Sequence, residues 1–305
     1  MKKNYNFESK FRIANLFSLI LVLSSFLLIF FKGLNFGIDF KGGTLIELRV
    51  DPRNTNISDI RSSFSRMNLG DLNVKQFGKE GDYLIKFEKK TFDQNNSIKK
   101  IKDNVKNKLQ SEVNFRRVEN VGPKVSKELL NSGFLAISLA LGAMLFYIWV
   151  RFEWQFSLGS ILAIFHDVLI TIGLFSLLSL EINLSIVAAV LTIVGYSMND
   201  TVVIYDRIRE NLSKFSSLKI GEVSNISINE TLSRTIITSV TTLLALVSIF
   251  VLGGEILRGF ALAMIIGVII GTYSSIFVAS PILKYLNVSY KTIAKEKENN
   301  YISNL

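Results

Sequence analysis

A carboxylate stands inside a stretch otherwise suited to hydrocarbon. Asp200 occurs in GYSMNDTVVIYDRIREN (195–211), near the close of an apolar run and six residues before the polar exit at Asp206. A charge at the centre of a bilayer costs about 2.5–3.5 kcal/mol on insertion scales, so its retention needs a partner or a task. Arg234, which opens a later apolar run, is the first partner to consider. Asp200 precedes Asp206 by about 9 Å of helical rise, most of which an arginine side chain spans. Arg234, Thr238 and Thr241 share one helical face, with Ser239 and Thr242 beside them and Asn199 adjoining Asp200. An Asp–Arg pair in a wet cleft alternates between paired and protonated states, which is what ion coupling requires. The plainer alternative is polar glue between helices.

His166 and Asp167 lie near the middle of another apolar run. Adjacent helical residues point about 100° apart, so the two are not expected to face one small site together. The chain's one histidine is a candidate proton relay. Either residue serves equally as a polar contact inside a bundle, and Asp167 is the better candidate for an inward-facing role.

These residues must be positioned by membrane helices. Six apolar runs, at 13–31, 134–150, 156–178, 182–205, 235–252 and 260–282, are long enough to cross a bilayer, which takes about 20 helical residues. None alternates as the strands of a β-barrel would. The expected fold is therefore a polytopic α-helical membrane protein. Basic residues cluster in the arm before the first run, between the fourth and fifth runs, and in the tail. That bias places both termini in the cytoplasm, with 1–12 as an arm and 283–305 as a tail. The basic arm lacks a small-residue cleavage site, so the first run reads as an uncleaved anchor.

The formal charge of +10 is mostly this topology signal, and no nucleic-acid recognition module accompanies it. The absence of cysteine removes disulfides and thiolate chemistry. No nucleophile–base pair, metal-ligand cluster or phosphate loop is legible, so neither an enzyme nor a cofactor or metal site is expected.

Residues 32–131 form a soluble segment expected outside the cytoplasm. TLIELRV, LNVKQF, DYLIKF and VNFRRVENV read as strands. Ile57, Ile60, Phe64 and Met67 mark one helical face, and Ile98, Ile101, Val105 and Leu109 a second. The order βαββαβ is that of an α+β ferredoxin-like unit between the first two spans. Gly42 and Gly43, in GIDFKGGT, are either a hinge or a tight turn at the membrane surface. In the last run, 260–282 with its approach, Gly259, Ala263, Gly267, Gly271, Ser275 and Ala279 recur every fourth residue. That spacing lets a second helix approach closely, whether from this chain or another subunit.

NFGIDFKGGT, FHDVLIT, GYSMNDTVVIYDRIREN and LSRTIITSVTTLL, taken in order, resemble the SecF-type subunits of the SecDF accessory complex of bacterial protein export. That family belongs to the resistance-nodulation-division superfamily, and the resemblance covers essentially the whole chain. It implies a bacterial inner-membrane protein that acts with SecD beside the SecYEG channel, drawing preproteins outward with the proton-motive force. YajC and YidC are further implied partners. The family's intramembrane carboxylate matches Asp200 and its partner arginine matches Arg234. Lys41 stands where many relatives have arginine. The rival readings are a stand-alone proton-driven exporter of small molecules, usually built with about twice the spans, and a structural scaffold without ion flux.

Overall fold

The computed structural model describes residues 4–51, 53, 55–65, 67, 69–76, 78–87, 99, 102–103, 105–107 and 113–293. Among these are six helices long and apolar enough to cross a membrane: Glu8–Lys32, Pro123–Arg151, Trp154–Leu177, Leu184–Lys214, Ile220–Leu252 and Leu257–Tyr285. The chain divides into a helical unit of residues 1–34, 137–180 and 185–305, and a sheet unit of residues 35–136 and 181–184.

In the helical unit we label α1 Phe11–Lys32, α5 Trp154–Leu177, α6 Leu184–Lys214, α7 Ile220–Leu252 and α8 Gly254–Ser274; α4, Pro123–Arg151, enters it from the sheet unit. About half of the third, fourth and sixth spans is buried within the chain (56, 50 and 50%), against 11, 11 and 17% of the first, second and fifth. The central layer is therefore α5, α6 and α8. Its lower core joins Phe152, Phe156, Tyr205, Ile208 and Leu283, and the Tyr205 hydroxyl donates to the Ala279 carbonyl at 2.9 Å. Close approach is bought with small residues. At Gly173 on α5 an added Cβ would meet Ser25 of α1.

Two boundaries differ from the hydropathy reading. The fourth span continues as helix through DRIREN to Lys214, and the fifth begins at Ile220 rather than near 235. The segment 220–234 is polar enough to miss on hydropathy, yet it is amphipathic, with Val223 and Ile228 fully buried. The sixth span is not one α-helix. It widens into a π-turn at Ser275–Ala279 before α9, Ser280–Tyr285. Pro281 explains the break: it has no N–H for the carbonyl one turn back, and its ring crowds that carbonyl.

The sheet unit holds β1 Asn35–Phe36, α2 Ile38–Lys41, β2 Gly43–Arg49, α3 Ile57–Ser65, β3 Leu72–Gln76, β4 Asp82–Phe87, β5 Asn114–Val121 and β6 Glu181–Ile182. The four-stranded sheet has the order β3-β4-β2-β5, antiparallel throughout, as a ferredoxin-like unit requires. β2 is central and buried along most of its length, which is why it alternates poorly in sequence. Tyr83, Ile85 and Phe87 of β4 point into the core with Ile46, Leu48, Ile60 and Phe64. Ile57, expected on the buried face of α3, is exposed instead; it opens the helix just after Asn56, whose N–H donates to the Asp59 carboxylate at 2.9 Å. Of the second expected helix, Ile98, Ile101 and Leu109 lie outside the described residues; the described positions are helical and Val105 is fully buried. A parallel pair, β1 with β6, was not legible in advance.

Candidate functional site

Asp200 sits on the buried face of α6 at 3% exposure, and its Oδ2 is enclosed without a hydrogen-bond partner. The hydroxyls of Thr201 and Thr235 are buried and unpartnered as well. Buried polar atoms are ordinarily satisfied, so these three stand out. Asn199, its neighbour, is exposed.

Arg234 is the charged group whose field reaches Asp200, but no hydrogen bond or ion pair joins the two among the described residues. The expected direct pair is thus absent from this conformation. The relative depth of the two residues follows from the register of α6 against α7. Asn211 donates to Ser227 at 3.0 Å and to Glu230 at 2.7 Å, and Arg207 donates to Glu230 at 2.6 Å. Carried along both helices, this antiparallel register sets Asp200 level with Thr238, and Arg234 one turn, about 6 Å, nearer the connection. Arg234 is itself exposed.

The threonine stripe behaves differently from expectation. Thr238 and Thr241 turn their hydroxyls onto carbonyls of their own helix, and Thr241 is exposed while Thr238 and Thr242 are half-buried. Ser239 is the member that reaches another helix, meeting Thr272 of α8 at 2.8 Å.

His166 and Asp167 meet, contrary to the expectation that neighbours on a helix point apart. His166 Nδ1 lies 2.8 Å from Asp167 Oδ1. Nδ1 is the ring nitrogen nearest the main chain, so a short carboxylate one residue away reaches it despite the angular offset. Asp167 is fully buried and accepts two more hydrogen bonds on Oδ2, from Ser197 of α6 at 2.5 Å and Ser274 of α8 at 2.7 Å. One carboxylate therefore ties together the third, fourth and sixth spans. The His166 ring stacks beside Tyr273, whose hydroxyl donates to the Ala14 carbonyl and meets Ser18 on α1. Sequence reasoning missed Ser197, Tyr273 and Ser274. Ser197 had a signal, standing one turn before Asp200; Ser274 adjoins a member of the small-residue series.

That series faces the fourth span of this same chain. A Cβ at Gly259 would lie 3.5 Å from Ile186, one at Gly267 would overlap Ile193, and one at Gly271 would lie 3.0 Å from the Cβ of Ser197. In the sheet unit, Gly42 (φ 81°) ends α2 and Gly43 (φ 137°) opens β2, both in backbone regions that favour glycine. A Cβ on Gly43 would come within 2.7 Å of the Phe87 carbonyl oxygen. The local geometry is a tight turn.

Taken together, the site offers two buried carboxylates on adjacent helices, one with an open oxygen and one held by a histidine and two hydroxyls. Among the described residues no cluster of three metal-ligating side chains accompanies them.

Residues 100–289 match the family model described as protein export membrane protein SecD/SecF, C-terminal, and residues 27–52 match the SecD/SecF GG motif. A protein translocase subunit SecF of Rickettsia bellii is 44% identical over 92% of this chain and 93% of its own length. Another, from Cereibacter sphaeroides, is 43% identical over 89% of this chain and 86% of its own. The crystal structure of SecDF from Thermus thermophilus, a translocon-associated membrane protein, superposes with a TM-score of 0.83 at 37% identity over 93% of this chain. The chain spans 39% of that longer protein.

Proposed function

The chain belongs to the SecF family of protein translocase subunits, and from that premise we propose that it acts with SecD beside SecYEG. In this reading it couples the proton-motive force to late steps of preprotein export. It lies in the bacterial inner membrane with arm 1–12 and tail 283–305 in the cytoplasm and residues 32–131 outside.

The observation that carries the coupling is the burial of Asp200 with an unpartnered carboxylate oxygen inside a membrane span. Asp200 is the proton carrier in this account. Arg234, one turn away and exposed, is the mobile counter-charge: when its guanidinium swings to the carboxylate the proton leaves, and when it withdraws the carboxylate recovers one. Asn199, Thr238, Thr241 and Thr242 line the approach, and Gly42 with Gly43 form the turn through which the outer domain moves. The near full-length agreement with SecF relatives favours this role over a stand-alone small-molecule exporter.

The test is export of a secreted precursor into membrane vesicles, with and without an imposed proton gradient. Vesicles holding SecD and this chain are expected to show gradient-dependent stimulation that vesicles with SecD alone lack. Equal stimulation without this chain refutes the reading.

A further inference from the structure

Asp167 and His166 present a charge-balance problem that Asp200 does not solve. Asp167 is wholly enclosed, and its three side-chain partners are His166, Ser197 and Ser274. An ionised carboxylate so buried is costly without a compensating positive charge, and binding a proton relieves that cost. The groups facing it supply none except the imidazole. α6 contributes Tyr196 and Asp200 nearby, α8 contributes Tyr273, and the ionisable groups of α1 are Arg12 and Lys32, at its two ends. His166 is itself 4% exposed, and its Nε2 is buried with no hydrogen-bond partner.

We infer that His166 and Asp167 form a second buried proton-binding site, and that Ser197 carries its state to the helix that bears Asp200. The inference deepens the proposed proton coupling and rests on it. In the proton-poor state Nδ1–H of a neutral imidazole donates to the carboxylate, and Nε2 offers a lone pair. A proton delivered by water binds Nε2 as the Nδ1 proton passes to Asp167 Oδ1. The couple thereby gains one proton and goes from one negative charge to none. The product is a carboxylic acid beside a neutral imidazole that carries its hydrogen on Nε2.

The consequence is mechanical. Hydrogen bonds to an ionised acceptor are about twice as strong as neutral ones. Protonation therefore weakens the hold of Oδ2 on Ser197 and Ser274 together, loosening α6 and α8 from α5. Ser197 lies three residues before Asp200 on α6, so the loosened turn is the one that sets the depth of that carboxylate. On α8, Ser274 immediately precedes the π-turn at Ser275–Ala279, a segment already short of regular helix bonds. A small shift of Ser274 is thus absorbed there rather than resisted.

Infrared difference spectroscopy of the SecD complex during pH titration tests this. In an Asp200→Asn background, a carboxylic-acid signal that responds to pH is expected to persist. Adding Asp167→Asn is expected to remove it, and adding His166→Gln to move its midpoint by about one pH unit, tenfold in proton affinity. Ser197→Ala, which keeps both titrating groups, is expected to shift the midpoint less than His166→Gln does. Should Asp167→Asn fail to assemble, the His166→Gln and Ser197→Ala arms decide the matter alone. Absence of the signal in the Asp200→Asn background, or a midpoint indifferent to His166→Gln, overturns the inference. Failure of the broader reading shows elsewhere, as gradient-stimulated export that survives Asp200→Asn.

Discussion

Gly271 lies so close to Ser197 that a methyl group on the glycine would stand 3.0 Å from the serine Cβ and 3.3 Å from its Cα. This contact presses the sixth span against the fourth at the level where Ser197 donates to Asp167. A bulkier residue at position 271 separates the two helices and strains that hydrogen bond. Gly271→Val is expected to destabilise the helical unit by about 1–3 kcal/mol, the usual cost of overpacking. The measurement is thermal inactivation of the detergent-solubilised SecD complex. Gly195→Ala serves as the control, since a Cβ there meets nothing within 4 Å. Equal stability of the two variants contradicts the packing described.

The sheet unit is expected to have a pH dependence of its own. Arg49 forks onto Asp82 across the β2–β4 pair, at 2.5 and 2.6 Å, while Arg116 approaches from the side. The Arg49 guanidinium, seconded by Arg116, holds the Asp82 carboxyl below the usual carboxylate range. A depressed pKa in the folded state contributes stability that is complete above the unfolded value, about 3.9, and is lost as pH falls through the folded value. Amide hydrogen exchange at Ile46 and Ile85 in the full-length protein is expected to stay slow at mildly acidic pH and to quicken only below that range. Asp82→Asn is expected to quicken it at neutral pH, by an amount equivalent to roughly 1–3 kcal/mol.

The paired glycines separate hinge from turn. Gly43→Val meets both a disfavoured backbone angle and the Phe87 carbonyl, so it is expected to lower the amount of folded protein. Gly42→Ala meets a milder contact, 3.3 Å from the Val121 carbonyl oxygen. If the turn also flexes during export, Gly42→Ala is expected to leave the level in the membrane largely intact and to slow precursor release. A loss of release that only tracks protein level assigns the glycines to the turn alone.

A reporter fused near Lys219, between the fourth and fifth spans, is expected to behave as cytoplasmic. Protease added from outside, with the outer envelope opened, is expected to cut within 32–131. An exported reporter at Lys219 contradicts the proposed orientation.

Much of this architecture was readable from local pattern. Long apolar runs give six spans because a bilayer leaves little other use for them. Tyr83, Ile85 and Phe87 give β4 because strict alternation reports one buried face. What escaped is non-local. The convergence of Ser197 and Ser274 on Asp167 depends on three helices that the sequence does not order in space. The first half of α7 escaped because Val223 and Ile228 are sparse among polar residues, and hydropathy averages them away. Likewise, the bonds of Asn211 and Arg207 that set the register of α6 against α7 are not readable from spacing along either helix.

The central claim is that Asp200 carries the proton, and Asp200→Asn tests it most directly. Asparagine keeps the shape and hydrogen-bonding capacity of aspartate but does not ionise, so a role in packing survives the change and a role in proton transfer does not. The measurement is precursor export into vesicles containing SecD and the variant chain, with and without an imposed gradient. Arg234→Lys is run alongside, because an ammonium lacks the planar fork that pairs with a carboxylate. The account predicts that Asp200→Asn assembles with SecD and loses the gradient-dependent stimulation, with Arg234→Lys partly impaired. Full stimulation in Asp200→Asn vesicles contradicts it and leaves Asp200 as a contact between helices.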